Sequence, residues 1–567
     1  MLRPETLDTT VVAESSRGSG HFHVLPDDQS LFDVVANRAL LEPGRPALSR
    51  RTPAGWSDVT YATLHADVLA LAGRMLSDGV GHGHRVAVLG RTSYEWVVAD
   101  YAALSIGAIT VPVYPTASDE QVRHMLADSG PSYGFAETPE QAELLTRAAT
   151  GQWRAPVRLL AEAVAPAAHQ IPPGGLPARS RPAVDASDVA TIVYTSGTTG
   201  MPKGCVLTHR NMFASSANTA LHEELLFSPD GAATLLCLPL AHVYGRSLLQ
   251  ACLFAGVRAG LLSGIPELFD ALGEFRPTFL ALVPYALEKI RKRYRAMDRA
   301  VAEQVTADVV REGFGGRCTH VICGGASLDA TTEAFFNEAG VKILGAYGLT
   351  EAATAVTLNQ ADASRAGSVG RPIPGTAVGI AADGEVLVSG RNITPGYWPE
   401  GARPVAREQA WLHTGDVGRL DSDGYLYITG RRKEILVTSS GKNVSPGRLE
   451  DRIRQHGLVS NCMVVGEGRA FVTALITLDT VALERWAAAR GMDPGGPPWR
   501  ELPEVLAEAQ AAIDDANRLV SRAESIRAFR ILDGDFTVGN GQLTPSLKLR
   551  RSVIERTYAD IVTGLYG

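Results

Sequence analysis

Apolar residues along the chain keep two periods, and the alternation between them points to a fold class. Leu64, Val68, Leu71 and Met75 fall at i, i+4, i+7 and i+11, one face of a helix that starts near Tyr61. Ser30, followed by Leu31, Val34 and Val35, opens an earlier helix that Pro43 and Gly44 end. Residues 86–89 form a continuous apolar run of strand type. A helix over 94–106, a strand over 109–114 and a helix opened by the capping box of Ser118 and Gln121 follow in turn. Strands alternating with helices at this spacing predict mainly parallel sheets covered on both faces. The glycine-rich run from Gly79 to His84 precedes a strand instead of following one, so it is not read as a dinucleotide loop.

Further along, residues 191–194, 205–207, 235–240, 321–323 and 342–344 are strand-like, with a helix ending at Gly340 before the last. Residues 384–388 and 417–429 read as strands joined by turns, a smaller β subdomain. Asp421 to Gly424 starts like a calcium loop, but its twelfth position is Arg432, so it is read as a hairpin turn. Leu506, Ala509, Ile513, Ala516 and Val520 mark one late amphipathic helix, expected to pack on the sheet of a small C-terminal domain. Residues 1–25 are polar without a clear period and are expected to be a loose arm. Residues 164–187, rich in Pro and Ala, read as a surface connection.

Composition narrows this picture. At 567 residues the chain exceeds one compact core, so two or more domains are expected. A net charge of −7 provides no global field for nucleic acid. The six cysteines include no CxxC pair and read as reduced thiols of a cytoplasmic protein. There is no basic-then-apolar leader and no run of 18 apolar residues, which disfavours secretion and membrane spanning. His21 and His23 lack a third ligand and are read as surface residues.

The chemistry concentrates in T-I-V-Y-T-S-G-T-T-G-M-P-K-G-C-V-L-T-H-R-N, residues 191–211. Gly197, Gly200 and Gly204 let backbone N–H groups converge on an anion. Thr195, Ser196, Thr198 and Thr199 add hydroxyl donors, and Lys203 a compact charge. This composition suits phosphate. A Walker A loop cannot be placed, because Pro202 precedes the lysine and Gly204 follows it.

The stretch resembles the signature loop of the adenylate-forming superfamily, which includes acyl- and aryl-CoA synthetases, peptide-synthetase adenylation domains and luciferases. Other segments resemble the same family in the expected order, from about residue 30 to 555. The resemblance implies an α/β fold: a large adenylate-forming domain over 26–431 and a small mobile α+β domain over 432–567, hinged near Lys433. Pro239 to Arg246 is similar to the motif whose His or aromatic residue lines the acyl pocket, here His242 and Tyr244. Gly324, Gly325, Ala326 and Ser327, and then Ala346, Tyr347 and Gly348, match segments that hold adenine. Thr350 matches the α-phosphate contact, and Glu351, with Thr195, the groups that help hold Mg²⁺. Asp416 matches the carboxylate that accepts from both ribose hydroxyls, a task for an acceptor-only group. Ile428 and Arg431 belong to the nucleotide side, and Gly441 and Lys442 to a hairpin that swings toward the pantetheine channel. Lys548 matches the adenylation lysine.

These correspondences imply ATP-dependent activation of a carboxylic acid to an acyl-adenylate, then thioester formation with coenzyme A. Segments 433–451 and 524–530 look most like bacterial long-chain fatty-acid–CoA ligases. Gly345, Ala346 and Ala352 depart from the residues usual there, and the chain between Tyr285 and Gly315 is short. A smaller or aromatic acid, nitrite adenylation for diazotisation, carrier-protein loading, and a non-catalytic nucleotide binder therefore stand as alternatives. A homodimer stays open.

Overall fold

A computed structural model of the chain describes residues 9–14, 21–149, 153–164, 182–195, 201–295, 307–402, 411–492, 498–544 and 548–566. The first large sheet has the order Gly396–Tyr397, Lys203–Thr208, Val189–Thr195, Ile109–Val113, Arg85–Leu89, Tyr133–Ala136 and Arg158–Leu159. Its strands from Val189–Thr195 to Arg158–Leu159 run parallel, and Lys203–Thr208 returns antiparallel. Such a sheet is buried on both faces, which explains why Ile109–Val113 is wholly buried and apolar apart from Thr110. A second sheet sets Phe279–Leu282, His320–Cys323 and Lys342–Leu349 in parallel, then turns antiparallel through Thr354–Leu358. The doubly covered, mainly parallel architecture read from the sequence is the one observed.

Helix starts follow the side chains that satisfy them. Gln121 N–H donates to Ser118 Oγ (3.3 Å) and Ser118 N–H to Gln121 Oε1 (3.0 Å) at the head of Asp119–Ser129. Thr208 and Asn211 form the same reciprocal pair at the head of His209–His222. Leu64, Val68, Leu71 and Met75 are all buried on Tyr61–Ser77.

Several expectations need correction. Residues 1–25 are not simply a loose arm: Thr9–Glu14 adds an outer antiparallel strand to Thr376–Ala381 in the β subdomain. Thr9, Thr10, Val11 and Val12 are β-branched, a local strand signal that the polar surroundings of residues 1–25 outweighed. The strand expected over 235–240 ends at Leu236, ahead of Pro239. The strand expected over 342–344 continues to Leu349, changing partner after Gly345. On Pro503–Asn517 the buried face includes Val505, whereas Leu506 is exposed and Val520 lies beyond the end. The connection at 164–187 lies largely outside the described residues, as does part of the short segment between Tyr285 and Gly315.

From Leu436 onward the chain forms its own core around Val459–Val465, Val472–Leu478 and Ile526–Ile531, covered by Pro446–Arg454 and Pro503–Asn517. The large part is locked by a buried ion pair. Arg246 on Val243–Ala255 donates to both oxygens of Asp100 on Tyr94–Ser105 at 3.0 and 2.5 Å, and both side chains are 1% exposed. The same guanidinium reaches Thr191 Oγ1 (2.8 Å) and Thr110 Oγ1 (2.9 Å), tying two helices to two strands. Removing one partner strands the other charge. Asp100→Ala is expected to destabilise the fold by about 3–5 kcal/mol, with Asp100→Leu/Arg246→Met recovering much of it, as read by denaturant unfolding. A cost under about 1 kcal/mol for Asp100→Ala would show that the pair does not hold these elements.

Candidate active site

A cavity of about 1660 Å³ lies at the C-terminal ends of the parallel strands, where the two large sheets, the β subdomain and the C-terminal part meet. That is the end at which parallel α/β sheets hold ligands, because connections diverge there and leave a crevice. Thr195, Lys203, His242, Gly325, Ala346, Tyr347, Gly348, Thr350, Glu351, Arg431 and Lys548 all contribute to its wall.

On one side the signature strand ends at Thr195, paired with Lys203 on the return strand. Ser196, Gly197, Thr198, Thr199 and Gly200 lie outside the described residues. Opposite, Thr350–Ala352 is a single 3₁₀ turn, so Glu351 is not the first turn of an α-helix. The backbone there is strained: Ala353 and the β-branched Thr354 have φ of +50° and +115°. Close packing enforces this, since a Cβ on Gly348 would lie 1.5 Å from Thr354 O. Tyr397, which the motif reading did not single out, donates its hydroxyl to Glu351 Oε1 at 2.6 Å.

On the other side Asp416 is buried. Tyr347 Oη donates to its Oδ2 (2.7 Å) and Arg431 Nε to its Oδ1 (2.8 Å). Each oxygen keeps a lone pair, so the carboxylate can still accept from two hydroxyls. Thr414 aids it by accepting from Asp416 N–H (3.1 Å) while its hydroxyl donates to Val386 O (2.7 Å). Ile428 packs in the β-subdomain core instead of on the cavity wall. Ala326 and Ser327 also miss the wall, and the Ser327 hydroxyl is spent on Asp451 of the C-terminal part.

Lys548 opens to the cavity, yet desolvation, then the Arg431 guanidinium, hold its ammonium below the ordinary lysine pKa. Gly441 and Lys442 are elsewhere, with Lys442 Nζ 3.7 Å from Glu524. The same wall includes a set of apolar side chains, Leu248, Ala251, Phe227, Ala281 and Leu358, together with His242 and Tyr244. His242 caps its helix by accepting from Tyr244 N–H at Nδ1 (3.0 Å), which leaves the ring proton on Nε2. Of the three departures noted in the sequence, only Ala346 faces the cavity. Gly345 is forced by backbone crowding, because a Cβ would sit 2.6 Å from Ser368 O, and Ala352 is core.

Among the described residues no group of three His, Cys, Asp or Glu side chains could cage a metal, and no helix is long and apolar enough to cross a membrane. One carboxylate beside hydroxyl and lysine donors fits Mg²⁺, which binds through one or two carboxylates plus phosphate oxygens.

With Lys203, Glu351 and Lys548 on the wall and the Asp416 carboxylate buried close behind it, the site sits in a chain that belongs to the AMP-binding enzyme family. The AMP-binding enzyme family matches residues 35–398, and the AMP-binding enzyme C-terminal domain matches 433–567. Among curated relatives, a long-chain-fatty-acid–CoA ligase, FadD15 of Mycobacterium bovis, is 38% identical over 561 residues, covering 90% of this chain and 93% of the relative. Among solved structures, the adenylation domain of a carboxylate reductase from Mycobacterium chelonae superposes with a TM-score of 0.78 at 23% identity, covering 96% of this chain and 94% of that one. The o-succinylbenzoate–CoA synthetase of Bacillus subtilis with ATP and magnesium gives 0.70 at 22% identity, covering 92% and 99%.

Two buried histidines set a pH dependence. Burial, followed by the Lys548 charge, lowers His242 to about 4, and burial lowers His209 to about 4. The unfolded chain takes up these protons near 6.5 and the folded one does not. Stability is therefore full above about 6.5 and is lost as pH falls toward 4, by up to about 1.4 kcal/mol per unit for each histidine. His209→Gln should flatten the loss of unfolding free energy between pH 7 and 5, and an unchanged slope would refute the assignment.

Proposed function

We infer that this enzyme activates a long-chain fatty acid with ATP and passes the acyl group to coenzyme A. The observation that carries this reading is one cavity whose wall combines Lys548, Thr350 and Glu351 with the apolar Leu248, Ala251, Phe227, Ala281 and Leu358. The acid's carboxylate attacks the α-phosphorus of ATP in line, forming the acyl-adenylate as the bond to pyrophosphate breaks. The coenzyme A thiol then attacks the acyl carbonyl, and AMP leaves. The substrate brings its own nucleophile, so the protein contributes position and charge.

In this reading Asp416 accepts from the ribose hydroxyls and Tyr347 stacks on the adenine that Gly325 borders. Thr195 to Lys203 hold the β- and γ-phosphates, and Thr350 contacts the α-phosphate. Lys548 bridges the acid carboxylate and the α-phosphate, a task that suits an ammonium already deprived of water. Glu351 with Thr195 would hold Mg²⁺, which would supply neutralising charge to the phosphates. Rotation of the small domain about Lys433 then exchanges Lys548 for the hairpin of Gly441 and Lys442. Six free, buried cysteines support a reducing, cytoplasmic setting.

Two of the three departures that favoured an unusual acid have structural causes away from the cavity, which removes their support for nitrite or aryl substrates. Lys548→Ala should lower adenylation by ~10²–10³ while leaving thioester formation from supplied acyl-adenylate largely intact. Equal loss of both half-reactions would refute the division. Among the apolar wall residues, Ala251→Phe should shift preference to shorter acids by at least about tenfold in relative kcat/KM, scored by AMP release over a chain-length series. An unchanged profile would move the acyl site elsewhere.

A further inference from the structure

Glu351 and Lys203 both line the cavity, and one side chain lies beside both. Tyr397 Oη donates to Glu351 Oε1 at 2.6 Å, and Lys203 Nζ lies 5.8 Å from the centroid of the same ring. The phenol lines the cavity and is 39% exposed, so water is available to it, yet its donor goes to a carboxylate. A hydrogen bond to an ionised acceptor is shorter and stronger than one between neutral groups.

The backbone beneath Tyr397 is pinned on both sides. Gly396–Tyr397 pairs with Val206 and Cys205 on the strand that carries Lys203, and Trp398 N–H donates to Gly204 O (2.8 Å). Thr394 N–H donates to Glu351 O (2.8 Å), and the Thr394 hydroxyl to Val206 O (2.5 Å). Residues 394–398 therefore clamp Glu351 at its backbone and at its carboxylate, using the strand of Lys203 as the anvil. With Oε1 partly engaged, Oε2 keeps its full acceptor capacity.

We propose that Tyr397 is a positioning residue of the phosphate site: its hydroxyl orients the Glu351 carboxylate toward Mg²⁺, and its ring face sets the Lys203 ammonium. The inference rests on the phosphate-side reading of Glu351 and Lys203. It goes beyond that reading by giving a third residue control over the separation of the site's anionic and cationic groups.

Tyr397→Phe removes only the hydroxyl, and Tyr397→Leu removes the ring as well. Both are read by Mn²⁺ affinity of the ATP-saturated protein, measured by electron paramagnetic resonance without any acid, and by metal-free ATP affinity from calorimetry. Tyr397→Phe should weaken Mn²⁺ binding about tenfold and leave metal-free ATP binding and thioester formation from supplied acyl-adenylate unchanged. Tyr397→Leu should also weaken metal-free ATP binding by about threefold. Wild-type Mn²⁺ affinity in Tyr397→Phe would overturn the proposal, as would equal loss of metal-free ATP binding in both variants. Because these readouts need no acid, an error in the substrate assignment leaves them untouched.

Discussion

The constraint on which the site depends is the placement of a lysine ammonium where protein crowds out water. Lys548 is depressed first by desolvation and then by Arg431, and only partly compensated by Asp416, Glu434 and Glu351. A backbone staple fixes it: Thr544 N–H donates to Lys548 O at 2.8 Å, and Lys548 N–H to Thr544 Oγ1 at 3.0 Å. Charge interactions strengthen as water is excluded, so a cavity carrying Lys548, Lys203 and Arg431 gains most from a polyanion. Asp416, Glu434 and Glu351 offset Lys548, and two of these carboxylates are held in place, Asp416 by Arg431 and Tyr347, and Glu351 by Tyr397. Phosphate oxygens that enter the cavity therefore meet fixed cations where water screens them least.

Such a site needs a frame that does not yield when charges enter or leave. The Arg246–Asp100 pair lies beneath it, linking the helix that His242 caps to the strand that ends at Thr195. An ion pair this buried is a poor source of net stability, because desolvation offsets most of its attraction. Its use here is geometric, since its four donors fit only one arrangement of two helices and two strands. The helix capped by His242 and the strand ending at Thr195 thus share a single polar anchor.

How legible all this was depended on whether a feature was local. The loop over 195–203, Asp416 and Lys548 sit in contiguous motifs, and the helix-strand alternation was visible because each element satisfies its own period and caps. Tyr397 was not legible, since its meaning comes from pairing with a strand nearly two hundred residues earlier. Ser327 misled for the opposite reason: its motif matches a nucleotide segment, but its hydroxyl meets Asp451 from the other part of the chain. Gly345 and Ala352 looked like pocket variation in one dimension and are packing constraints in three. The strand Thr9–Glu14 was hidden because its short β-branched run sits among polar residues and its partner lies more than three hundred and fifty residues later.

The same non-local contacts bear on how the two parts of the chain meet. Near Ser327 the contact is polar: Arg291 donates to Gln455 Oε1 (2.9 Å), Lys292 to Val459 O (2.7 Å), and Arg452 approaches Asp329 at 3.7 Å. The cores on either side stay separate, with the C-terminal cluster confined to residues from Leu436 onward. Hydrogen bonds at a boundary exchange for water at small net cost, about 1 kcal/mol each, whereas a shared apolar core does not. Specific bonds, and not a shared apolar core, therefore hold the docked arrangement in which Lys548 lines the cavity, so its placement rests on polar partners chosen one by one.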